Sequence, residues 1–292
     1  MYTTPANLLF LIIAGAATGV LGALLGTGGG VFLIPVLVLG FGVPMHYAVA
    51  TSIISVVATS SAVASTNVER GTANMRLGMT LEIATAIGAI LGGLTANWVT
   101  PAQLEFLFAI VLLPTAASMW RGRTETHSPI EVAPQVATES SQLNLARSTG
   151  RLGGHYYDPK LGHVVTYEVR QLWAGLLVSF AAGNLSGLLG IGGGVFKVPA
   201  LHLLCNVPMK AAAATSNFMI GVTAAASAFL YYGRGEVRPA LTASIVLGVL
   251  GGSAAGSVLN HYVHGKILNR LFAVLLGGVA VQMTLRAFGI GG

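Results

Sequence analysis

Long runs of apolar residues dominate this sequence and limit the solvent in which it can fold. Only 8% of its 292 residues are charged, and the mean hydropathy is +0.76. A helix needs about 20 apolar residues to cross a hydrocarbon layer of about 30 Å. The sequence therefore predicts an all-α integral membrane protein, with eight hydrophobic segments at Asn7–Gly40, His46–Thr66, Leu77–Val99, Gln103–Trp120, Gln171–Cys205, Ala211–Tyr232, Pro239–Asn260 and Ile267–Phe288.

The segments fall into two homologous halves related by one ungapped shift of 164 residues. At that shift, 11 of the 17 positions in GVLGALLGTGGGVFLIP (Gly19–Pro35) and GNLSGLLGIGGGVFKVP (Gly183–Pro199) are identical. Further identities follow in the same register, among them Pro44 with Pro208 and Arg70 with Arg234. We therefore divide the chain into a first transmembrane repeat (1–120), a polar linker (121–170) and a second repeat (171–292), with about four hydrophobic segments in each repeat.

The first segment of each repeat is interrupted by a cluster of glycines. Glycine costs about 1 kcal/mol in a helix interior relative to alanine, and Pro35 and Pro199 each remove a backbone donor soon afterwards. We expect the helix to break within the membrane, where irregular backbone is tolerated only if it is buried or lines a cavity. The half-helix after such a break offers free N–H groups to an anion. The predicted substrate-binding residues at the breaks are Thr27, Gly28, Gly29, Gly30, Gly192, Gly193 and Gly194.

The alternative is that these glycines only allow helices to pack closely. Pairs at i, i+4 spacing, such as Gly88/Gly92 and Gly252/Gly256, fit that role. Triple glycine followed by proline in both halves is more than packing requires.

Polar side chains inside the apolar segments complete the predicted site. Lys197 lies three residues after Gly194, and an anionic substrate would supply the charge that a buried lysine needs. Its alternative is snorkelling to the membrane interface. Glu82 could carry a coupling proton or pair with a cation, but its closeness to Arg76 favours an interfacial position. Hydroxyl and amide groups at Thr51, Ser52, Thr215, Ser216 and Asn217 could bind oxyanion oxygens, or could equally make hydrogen bonds between helices.

The two glycine motifs resemble the duplicated signature of the TauE/SafE family of sulfite-exporter-type permeases. The resemblance covers both halves. It implies movement of sulfite, thiosulfate, sulfoacetate or other organosulfonates across the bacterial inner membrane. A passive anion channel and, less favoured, a membrane enzyme using Cys205 or His202 stay open as alternatives. We expect no enzymatic activity and no cofactor, since no HExxH or GxSxG motif is present and acidic residues are nearly absent from the apolar segments. We expect no metal site, since the lone cysteine cannot form a cysteine cluster.

Topology and energy source are the remaining expectations. Basic residues flank membrane segments, which indicates orientation rather than nucleic-acid binding, and their distribution puts the linker in the cytoplasm. The same distribution fits either parallel or inverted halves; we favour inverted repeats because they create a midplane site that can open to either side. No GxxxxGK[ST] motif is present, so an ion or substrate gradient would drive transport. The coupling ion, H⁺ or Na⁺, and a homodimer stay open.

Overall fold

The described part of the chain consists mainly of helices, with one β-hairpin and short connecting loops. The structure is a computed structural model and describes residues 5–25, 28–120, 152–158, 163–259, 274 and 277–285. Its elements are α1 (Pro5–Leu25), α2 (Gly30–Pro35) with a π-helical turn (Val36–Gly40), α3 (Met45–Glu69), α4 (Met75–Thr95), α5 (Pro101–Trp120), β1 (Gly154–Asp158), β2 (His163–Tyr167), α6 (Leu172–Leu189), α7 (Gly194–Leu203), α8 (Met209–Gly233) and α9 (Pro239–Leu259). Residues 277–285 are also helical.

Six of these helices are long and apolar enough to cross a membrane. They are α1, α3, α4, α6, α8 and α9, while α2 with its π-helical turn and α5 give shorter apolar stretches. The predicted all-α membrane fold is confirmed. Part of the last predicted segment, Ile267–Phe288, lies outside the described residues.

Helix ends follow from local sequence that the two halves share. Pro44 and Pro208 precede α3 and α8, where a missing N–H costs nothing because the first turn has no acceptor for it. After the same two helices, Gly71 and Gly235 take φ values of +64° and +71°, which only glycine adopts readily. Asn74 begins α4 by accepting a hydrogen bond from the Leu77 N–H.

The halves interlock through two glycine-lined helix contacts. Helix α4 packs against α6, and α9 packs against α1. A Cβ added at Gly88 would lie 2.2 Å from the Phe180 oxygen, and one at Gly252 would lie 2.0 Å from the Ala16 oxygen. These two contacts are equivalent under the 164-residue shift. The packing role of the Gly88/Gly92 and Gly252/Gly256 pairs is thus confirmed, since no other residue allows such close backbone approach.

The second broken segment turns back towards the end at which it started. The Arg170 N–H, just before α6, donates a 3.1 Å hydrogen bond to the Cys205 oxygen, just after α7. A Cβ at Gly175 in α6 would lie 2.7 Å from the Cys205 sulfur. Helix α7 therefore runs back alongside α6.

The β-hairpin packs on this same end of the helices. Strands β1 and β2 pair antiparallel, with Tyr156 opposite Val165. Tyr156, Val165 and Tyr167 are buried in one apolar cluster with residues of α4, α7 and α8. The hairpin therefore covers the beginning of α4 and of α8.

Candidate functional site

The two glycine breaks lie against each other in the interior. The Ser52 hydroxyl of α3 donates a 2.8 Å hydrogen bond to the oxygen of Gly190, and a Cβ at Gly30 would lie 2.8 Å from that same oxygen. A Cβ at Gly28 would contact Val56 and Ile220, near the middles of α3 and α8. Both breaks therefore lie at the mid-height of the two central helices.

Glycine is required at the breaks by backbone conformation as well as by space. Gly29 and Gly193 have φ values of +76° and +72°, and each is the residue immediately before α2 or α7. Gly28 and Gly192 are also left-handed, and Gly194 is the first residue of α7. Thr27 lies outside the described residues.

Lys197 is fully buried, with 1% of its surface exposed, and it does not snorkel. Its ammonium donates a 2.7 Å hydrogen bond to the Thr223 hydroxyl of α8 and lies 3.7 Å from Oε2 of Glu82 in α4. The Thr223 hydroxyl in turn donates a 2.6 Å hydrogen bond to Oε1 of Glu82. Lys197, whose counter-charge was expected to come from the substrate, thus has one within the protein, the Glu82 carboxylate.

The interfacial position expected for Glu82 is wrong. Glu82 is 4% exposed and stands two turns inside α4 from Arg76. The sequence shows only that Glu82 is close to Arg76 along the chain. In the structure, α7 turns back beside α6 and brings Lys197 to the level of Glu82. Thr223 was missed altogether. Its signal was available, because the shift of 164 residues aligns it with Thr59, another threonine.

Most predicted hydroxyl groups serve helix-to-helix or backbone bonds. The Thr51 hydroxyl lies 3.4 Å from that of Thr242, and the Thr215 hydroxyl accepts from the Asn74 N–H. Asn217 is buried, and its backbone oxygen accepts from the Ser60 hydroxyl. Ser216 differs: its buried hydroxyl has no hydrogen-bond partner in the part of the chain that the structure describes.

A cleft of ≈ 270 Å³ beside the first glycine break is chemically unsuited to an anion. Its lining is apolar apart from Thr18 and includes Leu21, Phe32, Pro35 and Val279. Within the described ranges, no cluster of His, Cys, Asp or Glu could hold a metal ion.

Comparison with known proteins decides the family. The model of the family described as "Sulfite exporter TauE/SafE" matches residues 11–283. This chain belongs to the TauE/SafE family. The resemblance seen in the two glycine motifs is thereby confirmed, and the TauE/SafE chain is a multi-pass membrane transporter.

Relatives of this TauE/SafE protein carry matching names. "Probable membrane transporter protein YunE" of Bacillus subtilis is 24% identical over 284 residues, 95% of this chain and 97% of that protein. "Probable membrane transporter protein MJ0441" of Methanocaldococcus jannaschii is 26% identical and covers 94% of each chain. "Sulfite exporter TauE/SafE family protein 6" of Arabidopsis thaliana is 32% identical over 122 residues, 39% of this chain and 27% of that protein. No solved structure matches the TauE/SafE chain significantly.

Proposed function

We propose that this protein is a secondary transporter that moves small sulfur-containing oxyanions, namely sulfite, thiosulfate, sulfoacetate or other organosulfonates, across the cell inner membrane. The observation that carries the proposal is the burial of Lys197 directly after the second glycine break. An ionisable residue at membrane depth is expensive and usually serves the transported species. A fixed ammonium selects anions, and the enclosed surroundings select small ones.

The proposed binding region lies between the two breaks and extends to Lys197. Ser216 is its best-placed hydroxyl, because no described residue uses its hydrogen. Ser52, Thr51 and Thr215 would have to exchange existing hydrogen bonds to reach a substrate. The region also includes Asn217 and the glycines of both breaks, whose backbone N–H groups would face the anion without side chains in between.

Inverted repeats are part of the proposal, with the linker (121–170) in the cytoplasm. Supporting contacts come from the hairpin at the end of the linker: Lys210 lies 5.6 Å from the centre of the Tyr156 ring, and Asn74 donates to the Leu152 oxygen. Lys210 thus shares a side with the linker, which parallel halves would forbid. At the opposite end of α4, Arg234 donates to the Leu94 oxygen. The relatives' names and the absence of an enzyme motif support a transporter without catalytic activity.

The test is transport by purified protein in liposomes. We expect saturable uptake of sulfite or a sulfonate, and counterflow of labelled substrate against an unlabelled load on the other side. Lys197→Ala and Gly193→Leu should abolish both, whereas Lys210→Ala, at the exposed beginning of α8, is the matched control and should retain them. Flux that does not saturate and shows no counterflow would indicate a passive channel instead. Full transport by both Lys197→Ala and Gly193→Leu would refute the proposed site.

A further inference from the structure

The cluster of Lys197, Thr223 and Glu82 brings together three segments that are distant in sequence. Helix α4 supplies the carboxylate, α7 the ammonium and α8 the hydroxyl between them. Oε2 of Glu82 is buried and has no hydrogen-bond partner among the described residues. The ammonium and Oε2 are 3.7 Å apart, which is close enough for attraction but longer than a hydrogen bond. The carboxylate is therefore held at only one of its two oxygens.

The charged cluster exists in one copy although the fold is duplicated. Under the shift of 164 residues, Lys197 corresponds to Leu33, Glu82 to Val246 and Thr223 to Thr59. Both charged members are thus replaced together by apolar residues in the other half, while the threonine stays. A general packing requirement of the fold would apply to both copies. The Lys197–Glu82 pair therefore serves a function that needs only one copy in the transporter.

Charge balance decides what this cluster can bind. Ammonium and carboxylate together are neutral, and a second anion beside Lys197 would leave an uncompensated buried negative charge, which is strongly unfavourable. Protonation of Glu82 removes one of these negative charges, and the ammonium then forms a neutral pair with a singly charged anion. An anion and a proton therefore bind here together.

Thr223 allows this exchange without losing a hydrogen bond. Its hydroxyl has one hydrogen and two acceptors within reach, Oε1 of Glu82 at 2.6 Å and the Met219 oxygen at 2.9 Å. While Glu82 is ionised, the hydrogen points to the carboxylate. When Glu82 is protonated at Oε2, Oε1 is still an acceptor, so Thr223 keeps its hydrogen bond to Glu82 and still accepts from Lys197.

We propose that Glu82 is the binding site of a coupling proton, and that the transported oxyanion takes the place of the Glu82 carboxylate as the counter-ion of Lys197. This inference rests on the proposed function and assigns its coupling ion. The proton binds from water to Glu82, Oε2 being the oxygen without a hydrogen bond, as the anion enters, and it leaves to water when the anion leaves. No covalent bond to the substrate forms, and each anion moves with one proton.

Other titratable groups near the cluster are few. Helix α6, which packs on both α4 and α7, carries no titratable side chain. On α8, Lys210 stands at the first turn under Tyr156, and Tyr231 is bonded to the Gly187 and Leu188 oxygens near the other end. Helix α7 also carries His202, bonded to the Val207 oxygen. Cys205 packs near Leu81 and Gly175.

The test uses full-length protein in liposomes, with the membrane potential clamped at zero and a pH difference of one unit, alkaline inside. Thiosulfate and methanesulfonate are the probes, because neither titrates near neutral pH. Coupling to one proton should accumulate either probe about tenfold inside, since one pH unit is a tenfold proton ratio. Counterflow at equal pH is measured in parallel and reports transport without coupling.

Wild-type counterflow with about tenfold accumulation, together with a Glu82→Gln variant whose remaining transport, at any rate, only equalises the two concentrations, would support the proposal. Wild-type counterflow without accumulation would overturn it and leave the proposed function standing. Absence of wild-type counterflow for both probes would overturn the proposed function and this inference together. Accumulation by Glu82→Gln equal to that of the wild type would also overturn the inference.

Two further variants separate loss of the carboxyl from loss of folding. Glu82→Asp keeps a titratable group, so it should accumulate the probe about tenfold, even at a lower rate; counterflow by Glu82→Asp without accumulation would refute the proposal. Glu105→Gln changes another buried carboxyl, on α5, and should behave as the wild type. Loss of accumulation in Glu105→Gln with retention in Glu82→Gln would move the proton site away from Glu82.

Discussion

The Ser52 hydroxyl donates a 2.8 Å hydrogen bond to the Gly190 oxygen, which joins a central helix of the first half to the glycine break of the second. The sequence-equivalent serine, Ser216, has no such bond to any described residue. Among the described residues, the two equivalent serines therefore differ in their hydrogen bonds.

Ser52→Ala should destabilise the protein, because it leaves the buried Gly190 oxygen without that hydrogen bond. The expected loss is about 1 to 3 kcal/mol. Thermal unfolding in detergent measures it. Ser216→Ala is the matched control and should change the unfolding temperature little. Because Ser216 belongs to the proposed binding region, Ser216→Ala should raise the KM of transport. Equal destabilisation by both alanines would contradict this distinction.

Gly92→Ala should weaken the contact between α4 and α6. The new Cβ would lie 2.0 Å from the Asn184 oxygen, so the helices must separate at a cost of about 1 to 3 kcal/mol or more. Gly251→Ala, on an exposed helix position with nothing within 4 Å, is the control and should be neutral or slightly stabilising. Chemical or thermal unfolding in detergent distinguishes them. A tolerated Gly92→Ala would mean that α4 and α6 do not pack this closely.

Removing one charge of the buried pair should cost more than removing both. Lys197→Met alone leaves the Glu82 carboxylate buried without its counter-ion, a change that typically costs about 3 to 5 kcal/mol. The double variant Lys197→Met with Glu82→Gln should recover part of that loss. A double-mutant cycle on thermal unfolding gives the coupling between the two residues. Additive effects of the two single substitutions would show that the interaction between Lys197 and Glu82 contributes nothing to stability.

Equivalent helix ends should be accessible from opposite sides of the membrane. Glu69 and Gly233 are exposed last residues of α3 and α8 and are equivalent under the shift. In a Cys205→Ser background, a membrane-impermeant thiol reagent should label Glu69→Cys from the cytoplasmic side only and Gly233→Cys from the outer side only. Labelling of both from one side would favour parallel halves.

Cys205 should react slowly with thiol reagents in the wild type. Its side chain is buried beneath the hairpin cluster, and burial raises the pKa of the Cys205 thiol, so less of the reactive thiolate forms near neutral pH. Tyr156→Ala should loosen the cluster and speed the reaction, while Tyr157→Ala, an exposed neighbour on the same strand, should not. Mass spectrometry over time measures the rate. A fast reaction in the wild type would contradict the burial of Cys205.

The sequence by itself determined the membrane fold, the family and the duplicated glycine motifs. Long apolar runs in lipid form helices, because a helix satisfies its own backbone hydrogen bonds. A triple glycine with a following proline interrupts a helix. The membrane fold and the helix breaks therefore follow from local chemistry. The identity of residues at one fixed shift needs no coordinates either.

Only the tertiary structure decided which polar groups meet. Lys197, Thr223 and Glu82 are separated by up to 141 positions along the chain, and their contact depends on α7 turning back beside α6 while α4 and α8 stand side by side. The sequence indicated that Lys197 needs a counter-charge, but the predicted source was a substrate anion rather than Glu82. Contacts between side chains on different helices depend on how each helix is rotated about its axis and on its height relative to its neighbours. These helices are apolar on all faces and pack on several sides, so the sequence determines neither the rotation nor the height.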